Sequence, residues 1–133
     1  MDTSSTDEKN LIRRADMLIA DGNYEEAIMC LDKILETRSD DEEALSMKGR
    51  AYCLKGDTEM GVAILEEALS IDPFSKTVLI IFADACLHAS MLERSLELLD
   101  RGISYYPDDD GFAIQKATVL SAVNRNAADS SFN

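Results

Sequence analysis

The sequence predicts an all-α solenoid of paired antiparallel helices, and three observations carry that prediction. Apolar and small residues recur at a spacing of 34: Gly22, Gly56 and Ser90 share one column, Ala27, Gly61 and Ser95 another, and Leu31, Leu65 and Leu99 a third. Within each repeat the apolar spacing is helical, as in Leu11, Ala15, Leu18 and Ile19. Aromatic residues make up 6% of the 133 residues and Trp is absent, which suits a helical stack better than a β-sandwich.

The elements follow in order. Residues 1–7 (MDTSSTD) are polar and are expected to be disordered. The first unit, 8–41, opens with the helix carrying Leu11, Ala15, Leu18 and Ile19. Gly22 then fits a left-handed helix end, and Asn23 can cap a second helix built on Ala27, Ile28, Leu31, Ile34 and Leu35. The second unit, 42–75, repeats this with Leu45, Gly49 and Tyr52, the turn Gly56-Asp57, then Gly61 and Leu65, and stops at Asp72-Pro73. The third, 76–109, has Leu79, Ala83 and Cys86, then Ser90 where the others have Gly, and stops at Tyr106-Pro107. A lone helix, 110–124, carries Ala113, Ala117 and Leu120 in the same columns, before a tail, 125–133, expected to be flexible. The columns 15/49/83/117 and 27/61/95 hold small residues, which lets the two helices of a unit approach closely. On this reading Ala27 and Gly61 are interchangeable, with Gly61 costing its helix about 0.5–1 kcal/mol relative to Ala.

Charge narrows the function classes. Net charge is −13, from 26 acidic and 13 basic residues. Such a chain is repelled by nucleic-acid phosphates and by anionic membrane surfaces. No run of 18 apolar residues is present for membrane insertion, and the polar, acidic N-terminus is not of signal-peptide type. Cys30, Cys53 and Cys86 are odd in number and lack metal-like pairing, which points to reduced thiols in the cytoplasm. Chemistry for catalysis is missing. His88 is the lone histidine, no nucleophile–base set assembles around it, and no Gly-rich phosphate loop is present. "DDDG" at 108–111 lacks the alternating acids of a calcium loop, since Tyr106 and Ala117 occupy the first and last ligand positions. It reads as a helix N-cap. No metal or cofactor is expected.

The helix pair of 34 residues, with Leu, Ala/Gly and Leu/Tyr on the first helix and Gly, a small residue, Leu, Ala/Gly and Pro on the second, resembles the tetratricopeptide repeat (TPR). The departures are Ser39 for proline, Ser90 for glycine, and Arg14, Lys48, Phe82 and Lys116 in a column that is often Leu. The resemblance implies a right-handed α-solenoid whose first helices line a concave groove for an extended peptide or a helix. Carried over by register, the groove positions include Lys9, Ile12, Arg13 and Asp16 from the first unit, and Ser46, Met47, Arg50 and Leu54 from the second. The third unit supplies Ile80, Ile81, Asp84, Leu87 and His88, and the lone helix supplies Ile114, Gln115 and Thr118. The row Asp16, Arg50, Asp84, Thr118 has two readings. It is an internal ion-pair ladder, or Arg50, with Arg13 and Lys9, meets an acidic group on a partner. "TVLIIFADACLHA" at 77–89 is apolar almost all round, which suggests a partner with hydrophobic anchors.

TPR domains that hold acidic chaperone tails use a Lys/Asn clamp. The matching positions here are Ile12, Asp16, Ser46, Thr77 and Ile81, so that clamp is not expected. The lone helix carries Phe112, Val119 and Val123 besides its groove and core residues, an incompletely polar end that predicts self-association or continuation in a longer protein. The functional expectation is a non-catalytic scaffold that binds a protein or peptide partner. The alternative is a chaperone resembling the small acidic TPR chaperones of bacterial secretion systems, which hold hydrophobic segments of secreted proteins.

Overall fold

The computed structural model describes the backbone of residues 3–131 and the side chains of residues 7–129. Among the described residues there are seven helices and no strand: α1 (Thr3–Ala20), α2 (Tyr24–Thr37), α3 (Glu42–Lys55), α4 (Thr58–Ile71), α5 (Lys76–His88), α6 (Leu92–Tyr105) and α7 (Asp110–Ser131). The expected pairs are present as α1/α2, α3/α4 and α5/α6, followed by the lone α7. Two boundaries differ from expectation. Helix α1 starts at Thr3, and Glu8 near its start accepts a hydrogen bond from Arg38 at 3.0 Å. Helix α7 runs past 124 to Ser131, through the good helix formers Arg125, Ala127 and Ala128.

The chain divides into two compact units, Met1–Pro73 and Phe74–Asn133. In the first, α2 packs on both α1 and α3, and the core joins Ala15, Ile19, Ala27, Ile28, Leu31 and Ile34 to Ala44, Met47 and Ala51. In the second, α6 packs between α5 and α7. Leu79, Phe82, Leu98, Leu99, Phe112 and Val119 are fully buried there.

The three turns inside the helix pairs share one geometry. Gly22 has φ +82° and Gly56 φ +108°, and Ser90 takes the same left-handed region at φ +60°. In each, the next amide reaches back five residues: Asn23 to Leu18 at 2.8 Å, Asp57 to Tyr52 at 2.9 Å and Met91 to Cys86 at 2.8 Å. That is the Schellman closure, which satisfies a carbonyl the helix leaves unpaired. The caps then diverge. The Asp57 side chain accepts from Met60 N, Asn23 makes no such bond, and Met91 has no side chain able to make one. Elsewhere Asp41, Ser75 and Asp109 accept from the amides of Ala44, Val78 and Gly111, so "DDDG" does open a helix. Lys76, 3.1 Å from Asp109, adds to the Gly111 amide in holding that carboxyl below its usual pKa.

The small columns mark the helix crossings, but the three crossings are not alike. A Cβ on Gly61 would lie 2.3 Å from Cys53 Sγ and 2.6 Å from the Gly49 carbonyl oxygen. A Cβ on Gly49 would lie 2.9 Å from the Gly61 carbonyl oxygen. Backbone meets backbone between α3 and α4, so the expected interchange of Ala27 and Gly61 does not hold. Alanine fits at 27, where α1 offers Ala15, and does not fit at 61. In the α5/α6 pair the same positions hold Ala83 and Ser95, and the buried Ser95 hydroxyl donates to the Ala83 carbonyl at 2.7 Å.

The column that departs from leucine has a repeated use. Lys48 on α3 pairs with Asp32 on α2 at 2.7 Å, and Lys116 on α7 pairs with Asp100 on α6 at 2.7 Å. The two bridges occupy equivalent positions two repeats apart. Between them in register, Phe82 is buried, with the Arg94 guanidinium 5.3 Å from its ring centre.

Candidate peptide-binding faces

The positions expected to meet a partner lie on the first helix of each pair. In the first unit, Lys9, Arg13 and Leu54 are exposed, while Ile12 and Arg50 are half-buried. Met47 departs from expectation. It is only 7% exposed and belongs to the core that α1, α2 and α3 share, although Arg13 in the same column is exposed. Ser46 is likewise buried, its hydroxyl bonded to the Glu43 carbonyl at 2.9 Å. Burial of Glu43 raises its carboxyl pKa, and the nearby charges of Asp41 and Glu42 act in the same direction. The Asp16–Arg50 step of the expected ladder is not formed. Among the described residues, Lys9, Arg13 and Arg50 have no acidic group within ion-pair distance. Lys9 and Arg13 of α1 and Arg50 of α3 thus keep hydrogen-bonding capacity open to a partner, on a chain of net charge −13.

In the second unit, α5 and α7 present a different surface. Ile80 is 38% exposed and Ile114 68%, with Ile81 and Leu87 half-buried beside them. Gln115 ties the two helices together by donating to the Ile80 carbonyl at 3.2 Å. Thus α7 lies against α5 as a further first-type helix, in the register the 34-residue columns imply. At the end of α5 the half-buried Asp84 faces the exposed His88, whose Nδ1 lies 2.9 Å from the Asp84 carbonyl oxygen and 3.6 Å from its carboxylate. Since the carbonyl oxygen can only accept, the hydrogen bond forms with Nδ1–H as donor.

Phe112 and Val119 are fully buried, Phe112 with its ring against Gly102 of α6, so they do not make the outer end of α7 apolar. The uncovered face consists instead of Ala113, Ala117 and Leu120. Among the described residues Ile114 is the most exposed large apolar residue, and it belongs to the same groove column as Ile80, the column in which its register had placed it. Cys30 and Cys86 are buried, and burial raises the pKa of the Cys53 thiol, with the Asp57 charge adding to it. Among the described residues no group of three or more potential metal ligands comes together, and no helix is long and apolar enough to cross a membrane.

Comparison with known proteins gives the fold a lineage. The family described as anaphase-promoting complex, cyclosome, subunit 3 matches residues 20–102. No curated protein matches the chain. Among solved structures, the Sgt2 TPR domain from Aspergillus fumigatus is similar at 18% identity and TM-score 0.76, over 91% of this chain and 82% of that one. The first TPR of Spaghetti (RPAP3), bound to HSP90 peptide SRMEEVD, is similar at 15% identity and TM-score 0.75, over 90% of this chain and 98% of that one. An O-GlcNAc transferase mutant from Thermobaculum terrenum is similar at 18% identity and TM-score 0.75, over 90% of this chain, which spans 23% of the transferase's length. With the family match covering more than half of its residues and TPR domains among its structural neighbours, the chain belongs to the TPR-type helical-repeat family described as anaphase-promoting complex, cyclosome, subunit 3.

Proposed function

We propose that the chain is a non-catalytic scaffold that binds a peptide or helix of a protein partner through the first-helix faces of its TPR-type units. The observation that carries this reading is the pair of exposed isoleucines, Ile80 and Ile114, beside half-buried Ile81 and Leu87 on α5 and α7. Apolar side chains left open in this way suit a partner's hydrophobic anchors. On the first unit Lys9, Arg13 and Arg50 suit acidic groups, with Arg able to take a carboxylate in a two-point contact. The Spaghetti TPR, with its HSP90 peptide, supports peptide binding by this fold. A basic or Asn carboxylate clamp is not part of this reading, because Ile12, Asp16, Ser46, Thr77 and Ile81 supply no Lys, Arg or Asn. The proposed location is the cytoplasm, where Cys30, Cys53 and Cys86 would stay as thiols.

Panning a random peptide library on the chain and measuring Kd for the selected peptides tests the reading. Ile114→Asp should weaken peptides with apolar anchors, and Arg50→Glu acidic peptides, each at least tenfold, with both variants checked by thermal melting. Selected peptides that bind both variants as tightly as the unmodified chain would rule out these faces. A second reading is a small acidic chaperone for hydrophobic segments of secreted proteins, favoured by the charge of −13 and the apolar α5. Selected peptides that are uniformly apolar, with no acidic residue, would favour it. Self-association through α7 is proposed on its uncovered Ala113, Ala117 and Leu120, and sedimentation showing a strict monomer would exclude it.

A further inference from the structure

The ion pairs of the repeat identify a second docking surface, outside the first-helix faces. In α3, one face made by Ala44, Lys48 and Ala51 is covered by α2, with Lys48 held by Asp32 at 2.7 Å. In α7 the equivalent face, Phe112, Lys116 and Val119, is covered by α6, with Lys116 held by Asp100 at 2.7 Å. In α1 the same register positions are Asn10, Arg14 and Met17. Among the described residues no helix covers them. All three are exposed, Met17 to 63%, whereas Ala51 and Val119 at its position are fully buried. Arg14 has no acidic partner among the described residues. Asn10, Arg13, Arg14, Met17, Leu18 and Asp21 line a recess of about 400 Å3 along the helix.

We propose that this outer face of α1 receives an amphipathic helix of a partner protein that carries an Asp or Glu beside its apolar stripe. Charge selects the occupant. The two covered counterparts each meet a carboxylate, and Arg13 and Arg14 present a local excess of positive charge on an acidic chain. Shape selects it as well: α2 and α6 show that a helix with a carboxylate in this place fits a first-type helix of this chain. Met17 and the half-buried Leu18 supply the apolar contact that the shorter side chains of α3 supply to α2.

The probe is a peptide with the sequence of α6, Leu92–Tyr105, stapled on its solvent face and shown to be helical by circular dichroism. It is titrated into the isotope-labelled full chain while amide chemical shifts are followed. The expected result is saturable shifts centred on Asn10, Arg14 and Met17. Arg14→Glu should weaken binding about fivefold, the range of an exposed ion pair. A peptide with Asp100→Lys should recover that loss on the Arg14→Glu chain. Absent or non-saturating shifts, shifts centred on α5 and α7, or affinity indifferent to Arg14→Glu would overturn the proposal. Shifts of the same residues on concentrating the chain without peptide would overturn it in favour of a second copy as the occupant. Arg13 borders both surfaces, so the test turns on Arg14 and Met17, which belong to this face alone; because Ile114 and Arg50 play no part in this contact, its failure leaves the faces they define untouched.

Discussion

The α3/α4 pair and the α5/α6 pair occupy equivalent positions in the repeat and close their crossings by opposite means. Gly49 and Gly61 bring two backbones together until neither has space for a methyl group. Ala83 and Ser95 keep the side chains and use the hydroxyl to satisfy a helix carbonyl across the gap. The turns differ in the reverse sense. The α3/α4 turn is well made, with Gly56 in the left-handed region and the Asp57 carboxylate capping α4. In the α5/α6 turn Ser90 adopts the same backbone with a side chain attached, and Met91 offers no cap. One unit therefore concentrates its constraint at the helix crossing and the other at the turn.

Four variants probe that contrast. Gly61→Ser makes α4 resemble α6 on paper, yet its Cβ would collide with Cys53 and with the Gly49 carbonyl. It should destabilise the chain by about 3 kcal/mol in chemical denaturation. A loss below about 1 kcal/mol would mean that α3 and α4 separate easily. Rewriting the third turn as the second, with Ser90→Gly and Met91→Asp together, should stabilise the chain by about 2 kcal/mol. This sums relief of the left-handed side chain and a new cap. An unchanged denaturation midpoint would show that Ser90 carries no strain. Ser95→Ala removes the crossing hydrogen bond and should cost about 1 kcal/mol. Smallest of all, Lys116→Ala breaks the partly exposed pair with Asp100 and should cost at most about 0.5 kcal/mol, with the loss shrinking in high salt.

Much of this architecture was legible in the 34-residue columns. They gave the helix pairs, the left-handed turns and the small-residue crossings. They even placed Ser90 where the backbone demands Gly, because position in a repeat outweighs residue preference at one site. A column reports size class, however, and not the distance between helices, so it could not tell that Ala27 fits where an alanine at 61 would not. Met47 was read as a groove residue because its neighbours in register are groove residues. Its burial arises from how α1, α2 and α3 pack together, which no single helix encodes. Arg50 lay within reach of Asp16 by spacing alone, but ordering a long Arg side chain onto an exposed carboxylate gains little in water. The bridges of Lys48 and Lys116 were encoded by their matching acids at 32 and 100, and they became visible only once the helices were placed.

The first-helix faces are the centre of the functional account, and mapping a library-selected peptide on the isotope-labelled chain by amide chemical shifts tests them most directly. The account predicts saturable shifts at Ile80, Ile81, Leu87 and Ile114 for a peptide with apolar anchors, and shifts near Arg50 for an acidic one. Shifts confined to the second helices α2, α4 and α6, with those residues unmoved, would contradict it.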